Sequence, residues 1–279
     1  MKTLVTGGSG YLGTYVRQFF SADDFSRRAD LDILNDFDVP RVQDYDTVIH
    51  LAAHFDKSPE GALQCFQTNA DGTRNVLQHM RPGSVFIYAS TKDVYGSHAS
   101  GTDDVAEDTS TEYCGQSAFE WSKLIGEHYV RYYAEQNDFR ACIFRMSTVF
   151  ARPSEGNESG FVTHYVESIK NRQPIRLPYG VDPVRDILYV DDFSRACRAF
   201  IKSDRQFGLY NLGGGRLNAV SLRGIIERVS KLIQIEPVIE EGPPSAPMRL
   251  RYVSDTSRIN NELDWRPQIG IDDGLAVIL

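Results

Sequence analysis

Short apolar, β-branched runs alternate through the first half of the chain with longer stretches whose apolar residues recur at helical spacing. Lys2 to Thr6 (KTLVT) is the first run, and Val16, Phe19 and Phe20 mark the helical face that follows it. Asp46 to Ala52 (DTVIHLA), Ser84 to Ala89 (SVFIYA) and Ala141 to Met146 (ACIFRM) read as further strands, with another expected near Asp24 to Arg28. Helices are expected over Gly61 to Met80 and Ser117 to Gln136. Strands that are continuously apolar are covered on both faces. Their alternation with helices therefore predicts an α/β, doubly wound parallel sheet.

The spacing Gly7–Gly10–Gly13 falls where the first strand turns into the first helix. Glycines there permit a tight turn, let a pyrophosphate approach the backbone, and let the helix pack closely on the strand; the helix N-terminus adds free N–H groups and positive potential. This is a Rossmann-type dinucleotide site. From Ala151 the texture changes, with a loop at Arg152 to Asn157 and prolines at 174, 178, 183, 243, 244, 247 and 267. We expect a dinucleotide-binding domain over 1–152, to which 185–212 returns with a helix at Phe193 to Ile201. A smaller C-terminal substrate-binding lobe is expected over 153–184 and 213–279.

Composition narrows the partners. A net charge of −8 over 279 residues argues against a nucleic-acid surface. Cys65, Cys114, Cys142 and Cys197 are far apart and form no CxxC pair or Cys/His cluster, so neither a metal site nor a disulfide framework is indicated. No apolar run approaches the ~20 residues of a membrane span, and the first strand starts too early to leave room for a signal peptide. A cytoplasmic protein with reduced thiols is the expectation.

Several ordered motifs resemble the extended short-chain dehydrogenase/reductase family, whose members act on nucleotide-sugars. TGGSGYLG and the HLAA of His50 to Ala53 are the first. Asn69 to Leu77 is similar to NxxGTxNVL, Ser90 to Gly96 to S-[ST]-x-x-VYG, and Arg185 to Asp192 to RDFxxVxD. Tyr210 to Gly213 and Leu263 to Pro267 resemble its YNLG and LGWxP elements. The resemblance implies NAD or NADP as cofactor, with Gly7, Gly10, Tyr11, Leu12 and Gly13 around the pyrophosphate. It places Leu51, Ala52, Ala53 and Lys123 near the nicotinamide ribose, and Asp32 and Ile33 against the adenine. Arg27 and Arg28 stand where NAD-preferring members usually carry an acid. Either they hold a 2′-phosphate through bidentate hydrogen bonds or they are solvated surface charges.

The family's catalytic unit is Tyr-xxx-Lys on a helix plus a Ser or Thr from the VYG strand. The lysine and the nicotinamide charge lower the tyrosine pKa, and the phenolate exchanges a proton with the sugar. Ala118 to Glu127 resembles that segment, with Lys123 and Glu127 in place, but the tyrosine position is Phe119. Phenylalanine carries no proton. Tyr113 is the nearest phenol, at a spacing that puts it off the face of Lys123. Thr91 occupies the hydroxyl position. Asp93 stands where dehydratases carry an acid, and is either a base tuned by Lys92 or half of a surface ion pair. The candidate catalytic set is therefore Thr91, Asp93, Phe119 and Lys123.

The diphosphate of a nucleotide-sugar calls for arginine and hydroxyl donors. Arg185, Arg249 or Arg251, Thr148 (where the family has asparagine) and Thr91 are the candidates, with Arg152 and His54 as further residues of the same region. The expected function is NAD(P)-dependent nucleotide-sugar epimerisation or dehydration by transient oxidation of a sugar carbon. The alternatives are an NADPH-dependent nucleotide-sugar ketoreductase and a catalytically silent binding protein. By resemblance, the helices at 61–80 and 117–136 would form a homodimer.

Overall fold

The computed structural model describes residues 1–100, 104–153, 160–243 and 250–279; Pro244, Pro247, Arg249 and most of the loop after Arg152 lie outside them. Strand β1 (Thr3–Thr6) leads through the glycine turn into α1 (Gly13–Phe20), and β2 (Asp23–Phe25) and β3 (Thr47–His50) flank β1. Helices α2 (Ala62–Cys65) and α3 (Gly72–Gln78) follow, then β4 (Val85–Thr91), α4 (Ala118–Asn137) and β5 (Arg140–Met146). Next come β6 (Thr148–Phe150), α5 (Phe161–Lys170), β7 (Pro174–Pro178), β8 (Val184–Tyr189), α6 (Val190–Lys202) and β9 (Phe207–Leu212). The remaining elements are β10 (Ala219–Ser221), α7 (Leu222–Ile233), β11 (Val238–Gly242), β12 (Arg251–Tyr252), α8 (Ser257–Leu263) and α9 (Ile271–Ile278).

The main sheet has six strands in the order β2-β1-β3-β4-β5-β9, every pair parallel. Its strands bury both faces, as continuous apolar runs require. On one side Val76, Leu77, Val130 and Ala134 of α3 and α4 pack against Leu4, Val48, Phe86 and Ile143. On the other, Val16, Phe193, Ala196 and Phe200 of α1 and α6 cover Val5, Ile49, Ile87 and Phe144. This is the doubly wound arrangement, and its order reverses between β1 and β3, where such sheets bind ligands. Ile259 of α8 and Trp265 join the same core.

A second core forms where α5, α7 and α9 close over β6, β7 and β8. Strand β8 pairs with β6 and β12 in parallel and with β10 in antiparallel. Of the 185–212 segment, β8 thus belongs to this smaller sheet, while α6 packs on α1 and β9 takes the edge of the main sheet.

Two elements differ from the sequence reading. β2 stops at Phe25, because the Gly7 amide takes the Phe25 carbonyl (2.9 Å) and Ser26 then accepts from Ala29 and Leu31. Arg27 and Arg28 therefore sit in a 3-10 turn, Arg27–Ala29, beyond the strand. The helix expected over 61–80 widens into a π-turn at Phe66–Asp71. Asn69, fully buried in that turn, takes the His54 amide on its carbonyl (2.8 Å) and donates to the His54 carbonyl and the Ser122 hydroxyl, both at 2.9 Å. A local change of helical register frequently marks a functional site; here it ties the loop after β3 to α4.

Beneath the carboxyl ends of β4 and β5 lies a buried ion pair. Arg145 donates to both oxygens of Glu127 (Nη2–Oε2 2.7 Å), and neither side chain exceeds 6% exposure. Ser90 donates to the same carboxylate at 2.5 Å, and Arg145 also reaches the Glu107 carbonyl. Removing one partner strands the other charge in the core. Glu127→Gln or Arg145→Met is expected to lower stability by about 3–5 kcal/mol in urea denaturation; a loss below about 1 kcal/mol would show that the pair is solvated.

Candidate active site

The glycine turn is built by close approach. Gly7 has φ +68°, and a Cβ there would meet the Ala52 amide nitrogen at 2.8 Å. A Cβ on Gly13 would fall 2.1 Å from the Gly7 carbonyl. The turn thus presses against the end of β3, as a backbone cradle for a pyrophosphate requires. Beside it runs a cleft of about 300 Å³ lined by Gly7, Ser9, Gly10, Ser26, Arg27, Arg28, Asp32, Ile33, Leu51, Ala52, Ala53, Gln64 and Thr68, among others.

Nine of the residues expected to meet the cofactor therefore share one cleft: Gly7, Gly10, Arg27, Arg28, Asp32, Ile33, Leu51, Ala52 and Ala53. Tyr11 and Leu12 are placed differently. Tyr11 spends its hydroxyl on the far side of the loop, accepting from the Ala151 amide (2.7 Å), donating to the Ala151 carbonyl (2.8 Å) and meeting Thr163 (2.7 Å). Leu12 packs on the second core. Their side chains brace the loop from behind, leaving only backbone to face a ligand. Ser9, Ser26, Gln64 and Thr68 were not among the residues singled out from the sequence: Ser9 lies inside the glycine motif but was not picked from it, and the other three belong to no motif.

The second half of the site lies at the end of β4. Thr91 is the last residue of that strand, and its hydroxyl accepts from the Asp93 amide (3.2 Å). Across from it, α4 starts with a capping box: Ser117 caps the helix, and the Glu120 carboxylate takes the Ser117 amide (2.8 Å). Phe119 and Lys123 then lie four residues apart on one helical face. Lys123 is buried and donates to the Ala89 carbonyl (2.8 Å), its ammonium 4.9 Å from the Tyr88 ring centre. Phe119 is 6% exposed and packs edge-on against Phe55 at 4.6 Å.

Asp93 is paired with two cations, the expected Lys92 and also Lys57. Burial alone would raise its pKa, but the Lys92 and Lys57 ammonium groups, each 2.7 Å from a carboxylate oxygen, hold it far below the carboxylate range. A carboxylate so committed is a weak proton acceptor. Lys57 also pairs with Glu120 at 2.7 Å, and no motif signalled it. Tyr113 is 68% exposed and stacks on Trp121, which lies about 200° round the helix from Phe119, so it is no substitute for the missing phenol. His50 is likewise structural. Burial drives it down to about 3, and the neutral ring lies between Thr6 (2.8 Å) and Thr73 (3.0 Å).

The substrate candidates gather on the small sheet. Thr148 of β6 pairs with Ile187 of β8, so the pleat puts it on the face of Arg185, two residues earlier. Arg251 of β12 pairs with Val184 and so faces the other way. Arg185 donates to the Val184 carbonyl (2.7 Å), and Arg152 is engaged at the Val277 carbonyl (2.9 Å). Among the described residues no group of His, Cys, Asp or Glu is arranged to hold a metal ion, and no helix is long and apolar enough to cross a membrane.

Burial pushes the Lys123 ammonium down to about 8, against the opposing pull of Glu127 and Cys65. Between that value and the ordinary lysine range the unfolded chain binds more protons than the folded one, so the stability tied to this group rises with pH. Lys123→Met removes the penalty at all pH values. In cofactor-free urea denaturation its advantage over the native chain is expected to shrink from pH ~8 to ~10; an advantage that stays constant would contradict a buried, depressed lysine.

Comparison with known proteins agrees with this geometry. The model of the NAD dependent epimerase/dehydratase family matches residues 3–213. The CDP-paratose 2-epimerase of Salmonella typhi is 26% identical over 329 aligned positions, covering 99% of this chain and 97% of that protein. The dTDP-glucose 4,6-dehydratase of Escherichia coli is 26% identical over 340 positions, covering 99% and 92%. Among solved structures, the UDP-glucuronic acid 4-epimerase of Bacillus cereus with UDP-glucuronic acid and NAD superposes with a TM-score of 0.85 at 22% identity, covering 99% of this chain and 97% of that one. The RMD protein of Pseudomonas aeruginosa with NADPH gives 0.85 at 22%, covering 100% and 98%. These structural likenesses are of fold. With its family model matched over three-quarters of its length, this chain belongs to the NAD dependent epimerase/dehydratase family.

Proposed function

We propose that the chain carries out NAD(P)-dependent redox chemistry at a sugar carbon of a nucleotide-sugar, in the manner of its family's epimerases and dehydratases. The observation that carries this reading is the meeting of three parts at one carboxyl edge. The pressed glycine turn follows β1, the Thr91 hydroxyl stands at the end of β4, and the buried Lys123 of α4 reaches the Ala89 carbonyl of that same strand. A nicotinamide held there supplies the hydride acceptor. Lys123 then orients its ribose, the Thr91 hydroxyl donates to the sugar oxygen, and Thr148 with Arg185 receives the diphosphate. A dinucleotide domain and a substrate lobe are supported by the two cores, although Phe150 and Ala151 pack with the small core and Ile259 and Trp265 with the main one, across the boundaries expected from the sequence.

The family tyrosine is the part that is missing. Phe119→Tyr is expected to match or exceed the native chain on a UDP-, GDP-, CDP- or dTDP-sugar, by up to ~10²–10⁴, the range of acid–base assistance. If neither form converts any of these sugars while both bind dinucleotide, the chain is a binding protein.

A ketoreductase using NADPH is the second reading, favoured by the adenosine end of the cleft. Asp24, in β2, engages Arg17 (3.0 Å) and the Ser9 hydroxyl through Oδ2, while Arg27 and Arg28 line the cleft. Arg28 also donates to the Ser9 carbonyl (2.9 Å), which fixes its position. Charge-assisted hydrogen bonds contribute about 1.5–3 kcal/mol each. Arg27→Ala with Arg28→Ala is therefore expected to weaken NADP⁺ binding by ~10-fold or more and leave NAD⁺ little changed in calorimetry. Equal affinity for both cofactors in the native chain would overturn this preference.

Exposed Leu63 and Phe66 beside α2 and Tyr132 on α4 support a homodimer through these helices. The free cysteines, of which Cys65, Cys142 and Cys197 are buried, fit a reducing cytoplasmic setting.

A further inference from the structure

The proton carrier expected on α4 is absent, and a different ionisable group stands beside the place it vacated. Lys57, on the loop after β3, holds its ammonium 5.8 Å from the centre of the Phe119 ring and 5.9 Å from that of Phe55. It is fixed there by Asp93 on the segment after β4 and by Glu120 in the first turn of α4, both at 2.7 Å. The loop itself is pinned: Asn69 clamps the backbone of His54, Cys65 donates to the Asp56 carbonyl (3.2 Å), and Asp56 accepts from the Ser58 amide (2.8 Å). The side chain nonetheless stays 43% exposed. It is thus a positioned cation open to solvent, held by the same Asp93 whose amide donates to the Thr91 hydroxyl.

We propose that Lys57 performs the proton transfer that Phe119 cannot. Its ammonium group donates to the carbonyl oxygen of a keto-sugar nucleotide as hydride from a reduced nicotinamide reaches the carbonyl carbon. The C=O π bond becomes a C–H and an O–H bond, the nicotinamide is oxidised, and Lys57 is left as the neutral amine until solvent reprotonates it. In the oxidative direction the neutral amine takes the hydroxyl proton as hydride leaves. An alkoxide is a stronger base than an amine, so the donation runs downhill.

The charges around Lys57 decide which direction is easier. Burial lowers its pKa, but Asp93 and Glu120 together raise it above the usual lysine range, with Lys92 sharing the Asp93 carboxylate. The donor form therefore persists through neutral pH. Reduction should hold until pH rises past that range, whereas oxidation should climb with pH as the amine forms.

The proposal rests on reading the site as one for hydride transfer at a sugar carbon, and the test separates the two. Native chain, Lys57→Met, Lys57→Arg and Lys57→Met with Phe119→Tyr are assayed for NADPH oxidation with UDP-, GDP-, CDP- and dTDP-linked 4-ketohexoses. Lys57→Met should lose ~10² or more in kcat with KM little changed, ethylamine should restore part of it, and the added tyrosine should restore most of it. Lys57→Arg can keep both ion pairs and the fold but should remain slow, since guanidinium does not release its proton.

A second readout needs no turnover. Acetic anhydride labelling of Lys57 in the cofactor-free protein, read by mass spectrometry, should be slowed by at least one of UDP-, GDP-, CDP- or dTDP-glucose. Native turnover unchanged by Lys57→Met, or labelling untouched by all four nucleotide-sugars, overturns the proton role alone. A native chain that neither oxidises NADPH with any keto-sugar nor converts any UDP-, GDP-, CDP- or dTDP-sugar overturns the functional reading and the proton role with it.

Discussion

Arg145 and Glu127 face each other in the core with the geometry of a forked double hydrogen bond, and Ser90 completes the carboxylate's partners. Two desolvated charges are tolerable in a core only when geometry and hydrogen bonding are close to ideal. That demand fixes the register of α4 against β4 and β5. Glu127 sits one turn beyond Lys123 and two beyond Phe119 on the same face. Once Glu127 is seated on Arg145, Lys123 has its place at the Ala89 carbonyl and Phe119 its place against Phe55. The pair also reaches outward. Arg145 bonds the Glu107 carbonyl, and Glu107 takes the Asn211 amide at 2.8 Å, which joins β9 to the same support.

The two ends of α4 thus do different work. Its middle is anchored to the sheet by a buried pair, and its first turn presents a capping carboxylate, Glu120, toward the loop after β3. Glu120 has two acceptor oxygens and uses one for the helix and one for Lys57. A residue needed for local helix initiation has therefore become a determinant of where the Lys57 cation stands. The π-turn at Phe66–Asp71 supplies the complementary hold through Asn69. Loop and helix are locked from both sides of Phe119.

The sequence was informative where chemistry is local. Continuous β-branched runs gave β1, β3, β4 and β5 to within about two or three residues, and the glycine spacing gave the turn. Ser117 with Glu120 three residues later is a helix start legible in the letters alone. Tertiary outcomes were not legible. Tyr11 was assigned to the cofactor side of its loop, but the Ala151 and Thr163 partners that turn it away lie 140 and 152 residues on. Asp93 sat at a motif position, and the sequence did weigh an ion pair with Lys92, but not the second cation from residue 57 that commits its carboxylate. Lys57 itself belongs to no motif; only the fold brings that loop over Phe119. Arg251 shared charge with Arg185, yet strand register sets them on opposite faces.

The proposed chemistry requires the sugar carbon to lie between the end of β4 and the Lys57 loop, with the dinucleotide over the glycine turn. A crystal structure of the chain with NADP⁺ and a bound nucleotide-sugar tests it most directly. The pyrophosphate is expected against the Gly7–Gly10 backbone, the 2′-phosphate beside Arg27 and Arg28, and one sugar oxygen about 3 Å from both the Thr91 hydroxyl and the Lys57 ammonium. A sugar oxygen that meets Thr91 while Lys57 keeps only its two carboxylates, with water in the gap, would contradict it.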